Sequence, residues 1–171
     1  NTDEYRGVFV DPETALDIVK SDTLLILTDV NNMAMVEAPD VAESCAPNMI
    51  IIDHHRKTAE FDVQPLLTYI EPSASSACEL VAEMLEQVLP PNQISANEAN
   101  MLLSGILLDT KQFTKNTGTR TFSAALYLRD RGADPNEAQK FFKIDLDDFI
   151  REGKFRSNVV VYRGITAIAL G

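Results

Sequence analysis

The only two histidines of the chain stand side by side in Asp53-His54-His55, directly after the apolar run Met49 to Ile52. Any imidazole ligand must come from this pair. A carboxylate beside a ligating imidazole is the usual arrangement that fixes its tautomer, which places a metal site ahead of a plain polar loop for this triplet. Asp29 follows a second apolar run, Thr23 to Thr28. Taken alone, it is better read as an Asp capping the turn Asp29-Val30-Asn31-Asn32. Asp109 closes a third apolar stretch, Met101 to Leu108, near the C-terminal end of a helix. The helix dipole and desolvation both disfavour a bare carboxylate there, so it wants a cation. Lys111 or Lys115 would serve as a plain ion-pair partner, and a metal ion would serve better if Asp29 and His54 reach the same place. Oxygen and imidazole donors without thiolate suit Mn²⁺ or Mg²⁺, with Zn²⁺ or Fe²⁺ also open. Two such ions about 3.5–4 Å apart generate a hydroxide and clamp a transferring phosphoryl group, which is hydrolysis without a covalent intermediate.

Strand-like and helix-like stretches alternate, which predicts an α/β fold, Rossmann-like, with a mostly parallel sheet flanked by helices. Thr23 to Thr28 and Met49 to Ile52 are continuous apolar runs, the pattern of strands buried on both faces. Ligands in such sheets bind beyond the carboxyl ends of the strands, where Asp29 and Asp53 stand. Leu66 to Ile70 is a third candidate strand, after a polar loop. Asp11-Pro12-Glu13 predicts a helix start, continuing to about Lys20. Ser76-Ala77-Cys78-Glu79 and Ser95-Ala96-Asn97-Glu98 have the form of capping boxes, the first helix running to about Leu89 and the second to Asp109. The second is apolar on nearly every side, as a helix between layers would be. An amphipathic helix is predicted over Thr121 to Arg131, another from Asp134-Pro135, and one more over Asp145 to about Phe155. Val159 to Leu170 alternates as a strand does. We place a first domain at residues 1–157 and the linker and first strand of a second domain at 158–171.

With 171 residues, 45% of them hydrophobic, the chain can build one sizeable core. Its formal net charge of −11 argues against a binder of long nucleic acid, which needs Lys and Arg along the phosphates. Bound divalent cations would still allow a small phosphate substrate. Cys45 and Cys78 show no disulfide or zinc spacing, and an intracellular, reducing compartment is the default expectation. The apolar runs stop far short of the roughly 20 residues that span a bilayer, so no membrane contact is expected of this segment.

Ile51-Ile52-Asp53-His54-His55-Arg56 resembles the signature of the DHH family of phosphoesterases. Thr23 to Asp29 resembles that family's second motif and Gly105 to Lys111 its fourth. Glu71-Pro72-Ser73-Ala74-Ser75-Ser76-Ala77-Cys78-Glu79, Thr117-Gly118-Thr119-Arg120 and Tyr127 to Asp134 resemble the GdpP subgroup, the cyclic di-AMP phosphodiesterases, and the likeness runs from about Pro12 onward. The resemblance implies that Asp29 bridges two Mn²⁺ ions and that His54 and Asp109 complete one coordination sphere. It implies that Asp53 orients the imidazoles and His55 faces the scissile phosphate. Arg120, Ser75 and Ser76 would lie near the phosphates, the plainer reading being a surface cation and helix caps. The implied reaction is hydrolysis of cyclic di-AMP to the linear dinucleotide. The implied setting is the cytoplasmic part of a membrane-anchored protein, as a possible homodimer. Two departures stand out. Asp29-Val30-Asn31 replaces the usual Asp-Thr-His, and neither the family's first metal motif nor the glycine-rich His motif of its substrate domain has a counterpart. We therefore expect a truncated catalytic domain that holds at most one metal properly and has little activity alone. Other activities of the family (nano-RNase, nucleotide phosphatase, pyrophosphatase), a non-catalytic cyclic-dinucleotide-binding module and an α/β interaction domain are the rival expectations.

Overall fold

The computed structural model describes residue 5, residues 7–56, 64–90, 93–143 and 145–161, and the backbone of 162 and 166–169. The chain divides into two compact units, Asn1–Ala138 and Gln139–Gly171.

Three strands form the sheet of the first unit: β1 (Leu25–Thr28), β2 (Met49–Asp53) and β3 (Leu67–Ile70), in the order β1-β2-β3. All pairing is parallel, with Leu27 opposite Ile51 and Ile51 opposite Thr68. The ladder runs one step past the strands, since Asp29 N–H donates to Ile52 O at 3.0 Å and Glu71 N–H to Asp53 O at 2.9 Å. Asp29, Asp53 and Glu71 are thereby held in line along one carboxyl edge.

Successive residues of β2 serve opposite faces. Ile51 packs with Leu27, Met49 and Ala42 of α2 (Pro39–Cys45), whereas Ile52 packs with Ala74 and Leu80 of α3 (Ala77–Val88). Only β2 is buried on both faces as the apolar run predicted. β1 lies at the edge of the described sheet and leaves Ile26 51% exposed. The polar loop expected after His55 falls largely on residues 57–63, outside the described residues.

The predicted helix starts are capped as their side chains require. Asp11 Oδ1 accepts from Thr14 N–H at 2.8 Å to open α1 (Pro12–Ile18), and Ser95 and Glu98 form a complete reciprocal box at the head of α4 (Ala96–Asp109). Ser76 caps α3 only by half. Its hydroxyl accepts from Glu79 N–H at 3.0 Å, but the Glu79 carboxylate turns instead to Ser75 N–H and Oγ. Helices α3, α4 and α5 (Thr119–Asp130) pack on one another, and α3 packs on β2. Helix α4 buries Leu103, Ile106 and Leu107 yet leaves Leu108 62% exposed, so it presents one face to solvent rather than lying between layers. Asp134 precedes the short α6 (Pro135–Gln139).

In the second unit Asp145 caps α7 (Leu146–Ser157), accepting from Asp148 N–H at 2.8 Å. The tail predicted as one strand is two, β4 (Val159–Tyr162) and β5 (Thr166–Ala169), paired antiparallel with Val159 opposite Ala169. Each half supplies the ladder partners the other's backbone needs.

Candidate metal centre

Asp29 leaves β1 with φ of 65°, in the left-handed region that costs a non-glycine residue about 1–3 kcal/mol and recurs at functional sites. That turn brings Asp29 Oδ1 to 3.2 Å from His54 Nε2. The same Nε2 lies 3.7 Å from Oδ2 of Asp109, the last residue of α4. Three residues spread over half the chain thus meet at one imidazole nitrogen.

Asp53 ends β2 fully buried, and its Oδ1 accepts three N–H groups: His54 N at 2.7 Å, His55 N at 3.0 Å and His55 Nδ1 at 2.8 Å. It therefore orients one imidazole, that of His55, and shapes the backbone that presents His54. Its Oδ2 is buried with no hydrogen-bond partner among the described residues. The hydrogen bond to Asp53 raises the His55 pKa above the ordinary histidine value, burial opposes it, and the charges of Asp53, Asp29 and Asp109 add to it. Burial raises the Asp109 carboxyl above its ordinary value, and Asp29 adds to the rise while the two histidines oppose it. Burial and the same two carboxylates push the neighbouring Cys78 thiol up to about 11, so it stays protonated and offers no thiolate.

Asp29, Asp53, His54 and His55 each offer a ligand atom within 4.8 Å of the others. A half-buried carboxyl that ionises reluctantly and a buried carboxylate oxygen with no donor among the described residues both face a shortage of positive charge. Their donor chemistry fits a divalent cation of the Mg²⁺ or Mn²⁺ type.

A cleft of about 680 Å³ adjoins the pair, walled by His54, His55 and Arg56 on one side and by Pro72, Ser73, Ala74 and Asn116, Thr117, Gly118 on the others. The three residues expected near the phosphates are not among those walls. Ser75 and Ser76 are buried at 1% and 0% exposure, with both hydroxyls taken up by Glu79 at the start of α3. Arg120 forks onto Glu83 (Nε to Oε1 2.8 Å, Nη2 to Oε2 2.7 Å) and donates to Ser73 Oγ at 3.2 Å. Glu71 and Glu79 oxygens lie 3.8 and 3.9 Å from the same guanidinium. Both serine hydroxyls thus serve the head of α3, and Arg120 braces Glu83 and Ser73.

Sequence reasoning noted Asn31 only as a departure from the family motif and gave no role to Arg56 or Ser73. Asn31 is buried and its Nδ2 donates to His55 O at 3.2 Å, tying the β1 loop to the His pair. The signal for Arg56 was its place immediately after the triplet.

Acidic and imidazole donors gathered at the carboxyl edge of a parallel sheet, backed by a three-helix layer, define an α/β domain with a candidate divalent-cation centre. Residues 4–106 match the family described as "DHH family, N-terminal domain", and the chain belongs to that family. It is 43% identical over 167 residues to a cyclic-di-AMP phosphodiesterase GdpP of Bacillus subtilis, covering 98% of this chain and 25% of that protein. It is 41% identical over 172 residues to the cyclic-di-AMP phosphodiesterase PdeA of Listeria monocytogenes, covering 99% of this chain and 26% of that one. The chain thus spans about a quarter of the length of these relatives. An exopolyphosphatase-related protein from Bacteroides fragilis shares the fold, with a TM-score of 0.74 at 22% identity over 88% of this chain and 45% of its own. No helix among the described residues is long and apolar enough to cross a membrane.

Proposed function

We propose that this chain is the DHH part of a Mn²⁺-dependent phosphodiesterase that hydrolyses cyclic di-AMP to the linear dinucleotide in second-messenger signalling. One observation carries the reading: Asp29 and Asp109 approach the same His54 nitrogen at 3.2 and 3.7 Å. The two relatives named cyclic-di-AMP phosphodiesterases supply the substrate, at 43% and 41% identity over nearly all of this chain.

Asp29, His54 and Asp109 would hold one divalent cation. When bound, such an ion would polarise phosphoryl oxygens and lower the pKa of water. Asp53 locks His55 through Nδ1, so Nε2 is the nitrogen left to meet the scissile phosphate. A protonated Nε2 would donate a hydrogen bond to a phosphoryl oxygen as negative charge develops. Asn31 keeps that backbone in place. Ser75, Ser76 and Glu79 fix the head of α3 beside the cleft. A small anionic substrate of a chain with net charge −11 depends on such local cations. The cytoplasmic side of a membrane-anchored protein is the setting that suits a soluble second messenger.

The test is hydrolysis of cyclic di-AMP by the complete gene product with Mn²⁺, and by Asp29→Ala, His54→Ala and Asp109→Ala. Each variant should lose at least about 100-fold in kcat, as removal of transition-state charge stabilisation does elsewhere. Wild-type rates in the Asp109→Ala protein would sink the assignment.

A further inference from the structure

The cleft beside the candidate metal centre poses a question of charge, because its wall residues His54, His55 and Ser73 are contacted by the carboxylates of Asp29, Asp53 and Glu71, and the proposed substrate carries two phosphates. When one phosphate lies at the His54 centre, the other must sit in adjacent space. Arg120 does not serve it. Glu83 engages two of its nitrogens at 2.8 and 2.7 Å, with Glu79 and Glu71 further carboxylates at 3.9 and 3.8 Å. A guanidinium already matched by three carboxylates offers an anion little net attraction. Arg56 differs on every count. It is exposed, it is the one Lys or Arg among the described residues that line the cleft, and it makes no hydrogen bond or ion pair with another described residue. It follows His55 directly, so β2 and Asp53 fix its backbone in the same frame as the imidazoles.

We propose, resting on the phosphodiesterase reading above, that Arg56 binds the non-scissile phosphate of the cyclic dinucleotide. Arg120 is a positioning residue that braces Ser73 and the start of α5 to form the opposite cleft wall. A guanidinium suits the task, since its planar fork meets two phosphate oxygens at once. Arg56 would thereby make the site selective for substrates with two phosphates over simple diesters.

The test compares Arg56→Ala and Arg56→Lys with the wild type in the complete gene product, using cyclic di-AMP and the single diester bis(4-nitrophenyl) phosphate with Mn²⁺. Arg56→Ala should raise KM for cyclic di-AMP about 10- to 100-fold, the value of a lost charge-assisted hydrogen bond, and change kcat less than about 3-fold. Arg56→Lys should recover part of that loss, and both variants should cleave the single diester as the wild type does. A wild-type KM in Arg56→Ala, or equal losses on the two substrates, overturns the proposal. If the wild type cleaves neither substrate, the phosphodiesterase reading fails separately. Equilibrium binding of cyclic di-AMP then decides: the Arg56 role stands only if Arg56→Ala weakens it by a similar factor.

Discussion

Helices α3 and α4 approach so closely at Gly105 that an added Cβ would lie 2.2 Å from Cys78 Sγ and 3.1 Å from Cys78 Cβ. Ordinary carbon contacts begin near 3.5 Å, so Gly105→Ala forces the thiol aside or the helices apart. Rotating the thiol relieves the nearer clash and leaves the Cβ approach. Overpacking of this kind costs about 1–3 kcal/mol, and alanine returns about 1 kcal/mol of helix propensity, so a net loss of about 1 kcal/mol is expected. Cys78→Ala removes the nearer obstacle. In that background the propensity gain should dominate, giving a coupling of about 1–2 kcal/mol between the two sites. The effect reaches the candidate centre, because Asp109 lies about one turn beyond Gly105 on α4, and its 3.7 Å approach to His54 depends on where that helix sits. Urea unfolding of the four proteins in EDTA measures the coupling, and Mn²⁺-induced rises in Tm measure the link to Asp109. Gly105→Ala should show a smaller rise than wild type, restored in the double variant. Additive free energies, or an unchanged metal response in Gly105→Ala, would refute the reasoning.

Three further outcomes are expected. Asp109 has a folded pKa above its unfolded value, so its stabilising contribution is present below the ordinary carboxylate range and is lost as pH rises through the folded value. Asp109→Asn should therefore leave the metal-free protein at least as stable at pH 7 while abolishing the Mn²⁺-induced rise in Tm; a lower Tm in EDTA would contradict this. Arg120→Ala removes the cation 3.9 Å from the fully buried Glu79 and should cost about 2 kcal/mol, less than a wholly buried pair because Arg120 is partly exposed, with Glu79→Gln in the same chain recovering part of it in denaturant melts. His55 is raised by its hydrogen bond to Asp53, so its contribution is complete below about pH 6.5 and lost as pH rises through the folded value. Asp53→Asn should flatten metal-free stability between pH 6 and 8, and an unchanged slope in thermal melts would count against the Asp53–His55 coupling.

What could be read from the amino acids was whatever physics encodes locally. Continuous apolar runs marked β1 and β2, and the carboxylates at their ends marked the functional edge, because a parallel ladder aligns strand ends. Asp11, Ser95 and Asp145 named helix starts through single short hydrogen bonds. Non-local competition escaped the reading. Ser-x-x-Glu at Ser76 suggests a reciprocal box, yet Glu79 finds two donors on Ser75 and turns away from it. No sequence pattern weighs Glu71, Glu79 and Glu83 converging on Arg120, although the four-residue spacing of the last two places them on one helix face. The tail hairpin was missed for a similar reason, since alternation specifies a strand and says nothing of where it reverses.

These departures point to one physical theme, that the centre is arranged for a charge the chain does not itself contain. Asp29 adopts a left-handed backbone, Asp53 keeps in the interior an oxygen that no described residue pairs, and Asp109 ends a helix where both dipole and burial resist its ionisation. Each is a cost to the metal-free fold that a bound cation would help to offset. A cation at His54 would sit at the negative end of α4 and beside Asp29 and Asp109, stabilising the folded state through linkage. The surrounding protein bears that cost through apolar packing of Ile51, Ile52, Leu80 and Ile106, which needs no metal. Loss of the site's carboxylates should therefore uncouple cation binding from an otherwise intact fold, which is the behaviour of a functional centre set on a structural frame rather than of a structural metal on which the frame depends.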